Sequence, residues 1–206
     1  GMGYLVKKPA NWYASRAGRE LAALAIQRIA ANDPRAAASE LEKLEGRLQP
    51  SERDWAWSQV ALQGARRHYL EAVVWYARAG QAALSDDGYQ WKVRAALRAH
   101  DWSMVLATIM EMPPALAAQP EWVYWLGRAY KAGGLTSEAD ALFEKIAGQP
   151  SFYGNLADEE LGRKVVVPPK AKPPTTEEQK AARDNPGVRR AMAFFRLDMR
   201  TEAVRE

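Results

Sequence analysis

The carboxylates and histidines are the side chains of this sequence that could carry acid–base or metal chemistry. Three carboxylates occur together at Asp158, Glu159 and Glu160, and paired carboxylates are used in acid–base catalysis. Neighbouring positions on a helix point in different directions, so we expect these three to form a solvated helix face. The histidines are His68 and His100, and there is no cysteine, which is too few ligands for an all-histidine or thiolate metal centre. We therefore predict no catalytic residue, no cofactor and no metal site.

The basic residues are concentrated at the carboxyl end. Residues 1–162 hold 18 Lys and Arg against 19 Asp and Glu, whereas residues 163–206 hold 11 against 6. A basic segment can attract an anionic partner such as nucleic acid, or it can be a solubilising surface. We favour the surface, because the basic residues form no dense run, and we predict no binding of nucleic acid.

Aromatic side chains are numerous, with eight Trp and eight Tyr. Some occupy expected core positions, such as Tyr76 and Phe143, while others could stack on sugar rings or on a peptide. Tyr124 and Trp125 are adjacent, so they cannot both face one core. One of the two is exposed or packed between repeats, and the sequence leaves open which.

Residues 119–150 have the pattern of a tetratricopeptide-type helical hairpin. Leu126-Gly127 and Tyr130 match L-G-x2-Y, and Ala139 with Phe143 match A-x3-F after a Gly-Gly break. Gly127 and Ala139 are small enough to let the two helices approach closely, while the aromatic rings fill the space beside them.

The same pattern recurs about every 34 residues. The first-helix position holds Leu24, Val60, Val93 and Leu126; three positions of the second helix hold Ala37, Ala72, Val105 and Ala139, then Leu41, Tyr76, Ile109 and Phe143, then Leu44, Ala79, Met112 and Ile146. Such a recurrence is typical of stacked hairpins that bury one face against the next. The sequence predicts an all-α fold, a right-handed superhelix of the tetratricopeptide-like α-solenoid type, with no membrane span.

Capping residues and prolines divide the chain. Asp33, Ser85 and Thr175 are expected helix N-caps, and four prolines between 164 and 176 deny that stretch a regular helix. We predict a helical-hairpin domain at 1–163, a proline-rich connector at 164–174 and the start of a helical linker domain at 175–206. We also expect the natural protein to begin before Gly1 and to continue past Glu206.

The carboxyl-terminal half resembles the soluble lytic transglycosylases of Gram-negative bacteria. The most specific segment is 152–162, Phe-Tyr-Gly-Asn-Leu-Ala-Asp-Glu-Glu-Leu-Gly, and further matching segments are 91–98, 101–102, 122–130 and 185–205. The resemblance covers residues 85–206; before that it is one of architecture more than of sequence.

This resemblance implies a periplasmic enzyme that cleaves peptidoglycan between N-acetylmuramic acid and N-acetylglucosamine, leaving a 1,6-anhydromuramoyl end. In the family, a ring of helical hairpins and a linker domain precede a lysozyme-like domain whose catalytic glutamate lies in a Glu-Ser motif. The present sequence has no Glu-Ser dipeptide, so no residue here inherits that role. The expected function is that of the non-catalytic superhelical part, which scaffolds the catalytic domain.

The expected partners are peptidoglycan glycan strands and the protein's own catalytic domain. The predicted binding residues are Arg163 and Lys164, which suit the carboxylate-rich stem peptides, together with Tyr153 and Trp125. Two alternatives remain open: an adaptor that binds a protein segment in its groove, and a purely structural ring element without a ligand.

Overall fold

A computed structural model describes residues 8–164 and 169–206, and the regular secondary structure of these residues is helical, with no β-strand. Short 3-10 helices lie at Ala10–Ala14 and Glu45–Arg47. The α-helices are α1 (Arg16–Ala30), α2 (Pro34–Leu44), α3 (Pro50–Arg66), α4 (Ala72–Arg78), α5 (Asp86–Arg98), α6 (Trp102–Glu111), α7 (Pro114–Ala117), α8 (Pro120–Ala132), α9 (Thr136–Phe143), α10 (Phe152–Glu160), α11 (Thr176–Asp184), α12 (Pro186–Arg196) and α13 (Arg200–Arg205). The all-α prediction is confirmed.

The helices begin at the predicted capping residues. The carboxylate of Asp33 accepts hydrogen bonds from the backbone N–H groups of the first turn of α2, each at 3.0 Å. Ser85 caps α5 in the same way. Thr175 and Glu178 form a reciprocal capping box at the start of α11. Each cap satisfies N–H groups that a helix N-terminus leaves without a partner.

Both histidines lie just after the carboxyl-terminal ends of helices, where their backbone conformation ends the helix. His68 follows α3 and His100 follows α5, with φ angles of 62° and 56°. In each case the next backbone N–H closes back onto the helix: Tyr69 donates to the Gly64 carbonyl and Asp101 to the Ala96 carbonyl, both at 2.9 Å. This is the Schellman arrangement, in which one residue takes the left-handed conformation to end the helix.

The helices form stacked hairpins. α1 packs on α2, α3 on α4, α5 on α6 and α8 on α9. Successive hairpins touch through α1 with α3, α3 with α5, and α6 with α8, and helix α10 packs on the α8/α9 hairpin. Each hairpin thereby buries its apolar face against the next one, which is the packing mode of α-solenoids.

The predicted core positions of the second helices are buried without exception. The twelve residues of α2, α4, α6, α9 and the turns that follow them are each at most 5% exposed: Ala37, Leu41, Leu44, Ala72, Tyr76, Ala79, Val105, Ile109, Met112, Ala139, Phe143 and Ile146. The recurrence near 34 residues therefore reports real equivalent positions.

One first-helix position was predicted in the wrong register. Leu24 is 50% exposed, whereas Ile26 is completely buried. Ile26 lies 34 residues before the buried Val60 and shares its helix face with Ala22, four residues earlier. Two residues along a helix correspond to more than half a turn, so Leu24 points away from the face that Ile26 buries.

The contacts divide the chain into two compact units, 1–165 and 166–206. The first holds three clusters of buried apolar side chains. In the second, Ala203 is the buried residue among those described. Of the predicted connector, residues 165–168 lie outside the described residues, and residues 169–174 have no regular secondary structure. No helix within the described ranges is long and apolar enough to cross a membrane.

Candidate functional site

A groove of about 630 Å³ lies in the first unit, where the α5/α6 hairpin, the α8/α9 hairpin and helix α10 meet. Its walls come from α5, α8 and the first turn of α10: Arg94, Leu97, Arg98, Glu121, Trp122, Trp125 and Tyr153. The volume is in the range of small-molecule sites. It is lined by aromatic rings, two guanidinium groups and one carboxylate.

Helix α8 divides its aromatic side chains between the core and the groove. Tyr124 is 3% exposed and packs against Phe143, with ring centroids 5.7 Å apart. Trp125 is half-buried and faces the groove, with its ring edge-on to Tyr124 at 5.2 Å. The pair that the sequence left undecided is thus settled: Tyr124 belongs to the core and Trp125 to the groove wall.

The Phe-Tyr-Gly segment places Tyr153 in the groove lining. Ser151 caps α10 by accepting a hydrogen bond from the Gly154 N–H at 3.1 Å. A Cβ at Gly154 would lie 2.3 Å from the carbonyl oxygen of Gln149, so only glycine allows this approach. The ring of Tyr153 packs near that of Tyr124, with centroids 5.6 Å apart. The capped helix start and this ring contact together fix the position of Tyr153.

The three consecutive carboxylates are not a solvated face, and that prediction is wrong for two of them. Asp158 is 9% exposed and accepts a hydrogen bond from the Gly148 N–H at 3.0 Å. Glu160 accepts from Lys131 Nζ at 2.8 Å and from the Tyr124 hydroxyl at 3.3 Å. Only Glu159 is exposed. These carboxylates hold α10 against the preceding hairpin, because stacking turns one side of the helix inward.

The residues around Glu160 lower the pKa of its carboxyl group, while the pKa of the neighbouring Tyr124 hydroxyl is raised. Burial alone would raise the pKa of Glu160, but the hydrogen bond from Lys131 and the charge of Arg128 outweigh it, and the pKa lies below its ordinary value. Burial raises the pKa of the Tyr124 hydroxyl, so this hydroxyl stays protonated and donates to the carboxylate. Arg128 in turn donates to the Tyr124 oxygen at 3.0 Å.

Arg94 and Arg98 lie on one face of α5 and have no carboxylate partner in the described ranges. The Arg94 guanidinium lies 5.2 Å from the ring centroids of both Trp91 and Trp122. Its polar contacts are to Gln90 Oε1 at 3.4 and 3.5 Å. Arg98 reaches the carbonyl oxygen of Arg94 at 3.5 Å. Both guanidinium groups therefore remain able to receive an anion.

The structure brings together two of the four predicted binding residues. Trp125 and Tyr153 share the groove, whereas Arg163 and Lys164 are not among its lining residues. Arg163 forms an ion pair with Glu144 at 2.5 Å and lies 3.9 Å from Asp158. Lys164 is exposed. A binding role for any of these four residues stays a prediction.

Arg94 and Arg98, which line the groove, are not among the binding residues predicted from the sequence. The available signal was their i, i+4 spacing next to Trp91, within a segment that carries the family resemblance. The count of charged residues gave no indication of a cationic site there, because residues 1–162 are almost neutral as a whole. Two arginines without nearby carboxylates can occur within a segment that is neutral overall, and only the three-dimensional structure shows which charged residues are neighbours.

The fold and the groove define an α-solenoid with an aromatic and cationic groove built from two consecutive hairpins and helix α10. No protein-family model and no curated protein sequence matches the chain. Among solved structures, an inactive mutant of the lytic transglycosylase Slt from Pseudomonas aeruginosa matches with a TM-score of 0.70 and 25% sequence identity. The match covers 98% of this chain and 33% of that protein, so the chain spans about a third of its length. The chain is therefore similar in structure to part of a lytic transglycosylase, and this agrees with the family that the residues of its carboxyl-terminal half resemble.

Proposed function

We propose that this chain is the non-catalytic superhelical part of a periplasmic lytic transglycosylase that processes peptidoglycan. In this role it scaffolds the catalytic domain and holds glycan strands for it. The observation that carries the proposal is the structural match over 98% of the chain to a third of the Pseudomonas enzyme. The chain also contains no Glu-Ser dipeptide, the motif in which the family's catalytic glutamate lies.

The composition of the groove supports a strand-holding role. Flat aromatic side chains such as Trp125 and Tyr153 present surfaces on which sugar rings pack. Cationic groups attract the carboxylates of the stem peptides. Arg163 and Lys164, which follow α10, are proposed as further contacts to the same polymer outside the groove.

The test is co-sedimentation of the chain with purified, lipoprotein-free peptidoglycan sacculi at low and high salt. We expect saturable pelleting that weakens as salt screens the charged contacts. The Trp125→Ala/Tyr153→Ala and Arg163→Ala/Lys164→Ala variants should each pellet several-fold less. Lys43→Ala on α2 is the matched control, since Lys43 is an exposed cation outside the groove and its loss should change nothing.

Absence of pelleting at low salt would contradict strand holding. A protein segment that then binds in the groove would identify the chain as an adaptor, and no binding at all would leave a structural ring element. Circular dichroism of each variant separates loss of binding from loss of fold, which matters most for Arg163 because of its ion pair with Glu144.

A further inference from the structure

Helix α12 of the second unit presents apolar side chains to solvent along one line. Val188, Met192 and Phe195 are spaced i, i+4 and i+7, so they share one face of the helix, and they are 43–48% exposed. We call these three residues the α12 stripe. Leu197 and Met199, which follow the helix, are exposed as well. An apolar surface of this kind is typical of a site that contacts another molecule.

The α12 stripe is distinct from the face that packs within the second unit. Helix α12 packs against α11 and α13, and its half-buried residues Gly187, Ala191 and Phe194 also recur at i, i+4 and i+7. Each residue of the stripe follows one of these by a single position, which is a rotation of about 100° around the helix. The stripe therefore lies next to the packed face but outside it, and it is open to solvent.

Basic side chains lie beside the α12 stripe. Helix α12 contains Arg189, Arg190 and Arg196 and no carboxylate. Arg189 and Arg196 are seven residues apart, so they lie on one side of the helix, two turns from each other. Arg190 forms an ion pair with Glu206, whereas Arg189 and Arg196 form no ion pair within the described ranges. Two guanidinium groups next to the stripe are thus available to an anion.

The stripe and the arginines line one open groove of about 660 Å³. It combines four guanidinium groups with apolar side chains: Arg183, Arg189, Arg190, Arg196, Val188 and Met192. A ligand that matches this lining has an anionic group next to an apolar part, and an anionic phospholipid has both. A helix with such side chains lies in the plane of a bilayer interface, with its apolar face among the acyl chains.

We propose that α12 binds an anionic phospholipid surface, with the α12 stripe at the boundary of headgroups and acyl chains and with Arg189 and Arg196 at the lipid phosphates. Charge complementarity favours this partner: residues 169–206 hold 9 Lys and Arg against 6 Asp and Glu, and anionic lipids attract basic segments. The eleven residues of α12 are about half the length that spans a bilayer, so the contact is with one membrane surface.

This inference goes beyond the proposed function, whose named binding residues all lie in the first unit. A membrane contact through α12 gives the second unit a ligand of its own. The aliphatic parts of the arginine side chains add to the apolar contact, while their guanidinium groups reach the phosphates.

The test is flotation of the full chain with vesicles of phosphatidylglycerol and phosphatidylcholine, and with vesicles of phosphatidylcholine alone. We expect binding to the anionic vesicles that weakens as salt screens the charges. A basic residue near an anionic surface strengthens binding by about fivefold. The Arg189→Gln/Arg196→Gln variant should therefore bind about tenfold more weakly or less. Met192→Gln/Phe195→Gln should also bind weakly, because it keeps the charges but removes apolar contact.

The matched control is Arg28→Gln/Lys43→Gln, which removes the same net charge from two exposed positions of the first unit and should bind like the unmodified chain. Arg189→Lys/Arg196→Lys guards against misfolding, because it keeps both positive charges and should retain most of the binding.

The position of the stripe can be read directly, because the chain has no cysteine. An environment-sensitive fluorophore attached through Met192→Cys reports from the stripe alone. We expect its emission to shift to shorter wavelength with anionic vesicles, as the probe leaves water. The same fluorophore attached through Arg28→Cys on α1 should show no shift.

Failure of the unmodified chain to float with anionic vesicles at low salt would overturn the proposal. Equal binding to neutral vesicles would do the same, as would an equal loss in the Arg28→Gln/Lys43→Gln control. If the stripe instead contacts a second copy of the chain, sedimentation equilibrium would show a dimer that Met192→Gln/Phe195→Gln abolishes. Such a dimer without vesicle binding would replace the lipid surface by a protein interface.

Discussion

At the scale of single residues, close helix packing depends on two glycines that face aromatic rings. A Cβ at Gly127 of α8 would lie 2.5 Å from Cε1 of Phe143 on α9. A Cβ at Gly64 of α3 would lie 2.5 Å from the Trp75 ring on α4. Since Gly127 and Phe143 belong to the hairpin pattern, the small residue expected from the sequence has a direct steric reason.

We predict that Gly127→Ala destabilises the fold by about 1–3 kcal/mol, the usual cost of overpacking a core. This occurs although alanine by itself favours a helix interior over glycine by about 1 kcal/mol. Urea unfolding followed by circular dichroism measures the change. Gly46→Ala is the control, since a Cβ there meets nothing within 4 Å and stability should not fall. The Gly127→Ala change should cost less unfolding free energy in a Phe143→Leu protein than in the unmodified protein, because the smaller side chain leaves room for the Cβ. An equal cost in both proteins would contradict the steric explanation.

At the scale of helices, Glu160 connects α10 to α8 of the preceding hairpin. Glu160 joins Lys131, Arg128 and the Tyr124 hydroxyl of α8, and its side chain is 16% exposed. A charge-assisted network in this partly buried setting is stronger than a surface ion pair. It fixes the helix that carries Tyr153 into the groove.

We predict that Glu160→Gln costs about 1–2 kcal/mol of unfolding free energy at neutral pH, the usual effect of losing charged hydrogen bonds. The folded state lowers the pKa of Glu160 below its ordinary value of 4.5. Its ionic contribution is therefore complete above that value and is lost as the pH falls through the lowered pKa. Urea unfolding of both proteins at a series of pH values should show the difference shrinking at acid pH.

Glu144→Gln is the comparison for this series, because Glu144 makes an exposed pair with Arg163, 51% and 47% accessible. Such pairs contribute about 0–1 kcal/mol, so its effect should be small at every pH. A Glu160→Gln difference that stays constant down to acid pH would show that the charge of the carboxylate is not what stabilises α10.

At the scale of the whole molecule, the described apolar clusters all lie within residues 1–165. In the second unit, helices α11 and α12 bury no residue, and Val188, Met192 and Phe195 are 43–48% exposed. Burial of apolar side chains is the main favourable contribution to folding. The two units should therefore differ greatly in stability.

We predict that residues 1–164 alone unfold at the same temperature as the full chain, within about 2 °C, because they keep every described core cluster. Residues 169–206 alone should be mostly unfolded, since short helices without packing are marginal in water. Thermal melts by circular dichroism at 222 nm test both. A melting temperature lowered by many degrees in the shorter chain would contradict an independent first unit.

Local patterns were sufficient for much of this architecture. Asp33 and Thr175 mark helix starts because capping needs only the adjacent backbone. The recurrence from Ala37 to Ile146 identified buried positions because each hairpin repeats the same contact with its neighbour. Gly127 predicted the close contact between α8 and α9 within its own hairpin. All of these depend on residues that are near in sequence or equivalent by repetition.

Other features depend on which helix lies opposite. Ile26 instead of Leu24 faces the core, and Asp158 and Glu160 are turned inward, because stacking selects one face of each helix. The groove brings Arg94 of α5 and Tyr153 of α10 together although they are 59 residues apart in the printed sequence. The spacing of residues along the chain determines which side chains share a helix face. The packing of hairpins against each other determines whether that face contacts the core, another helix or solvent.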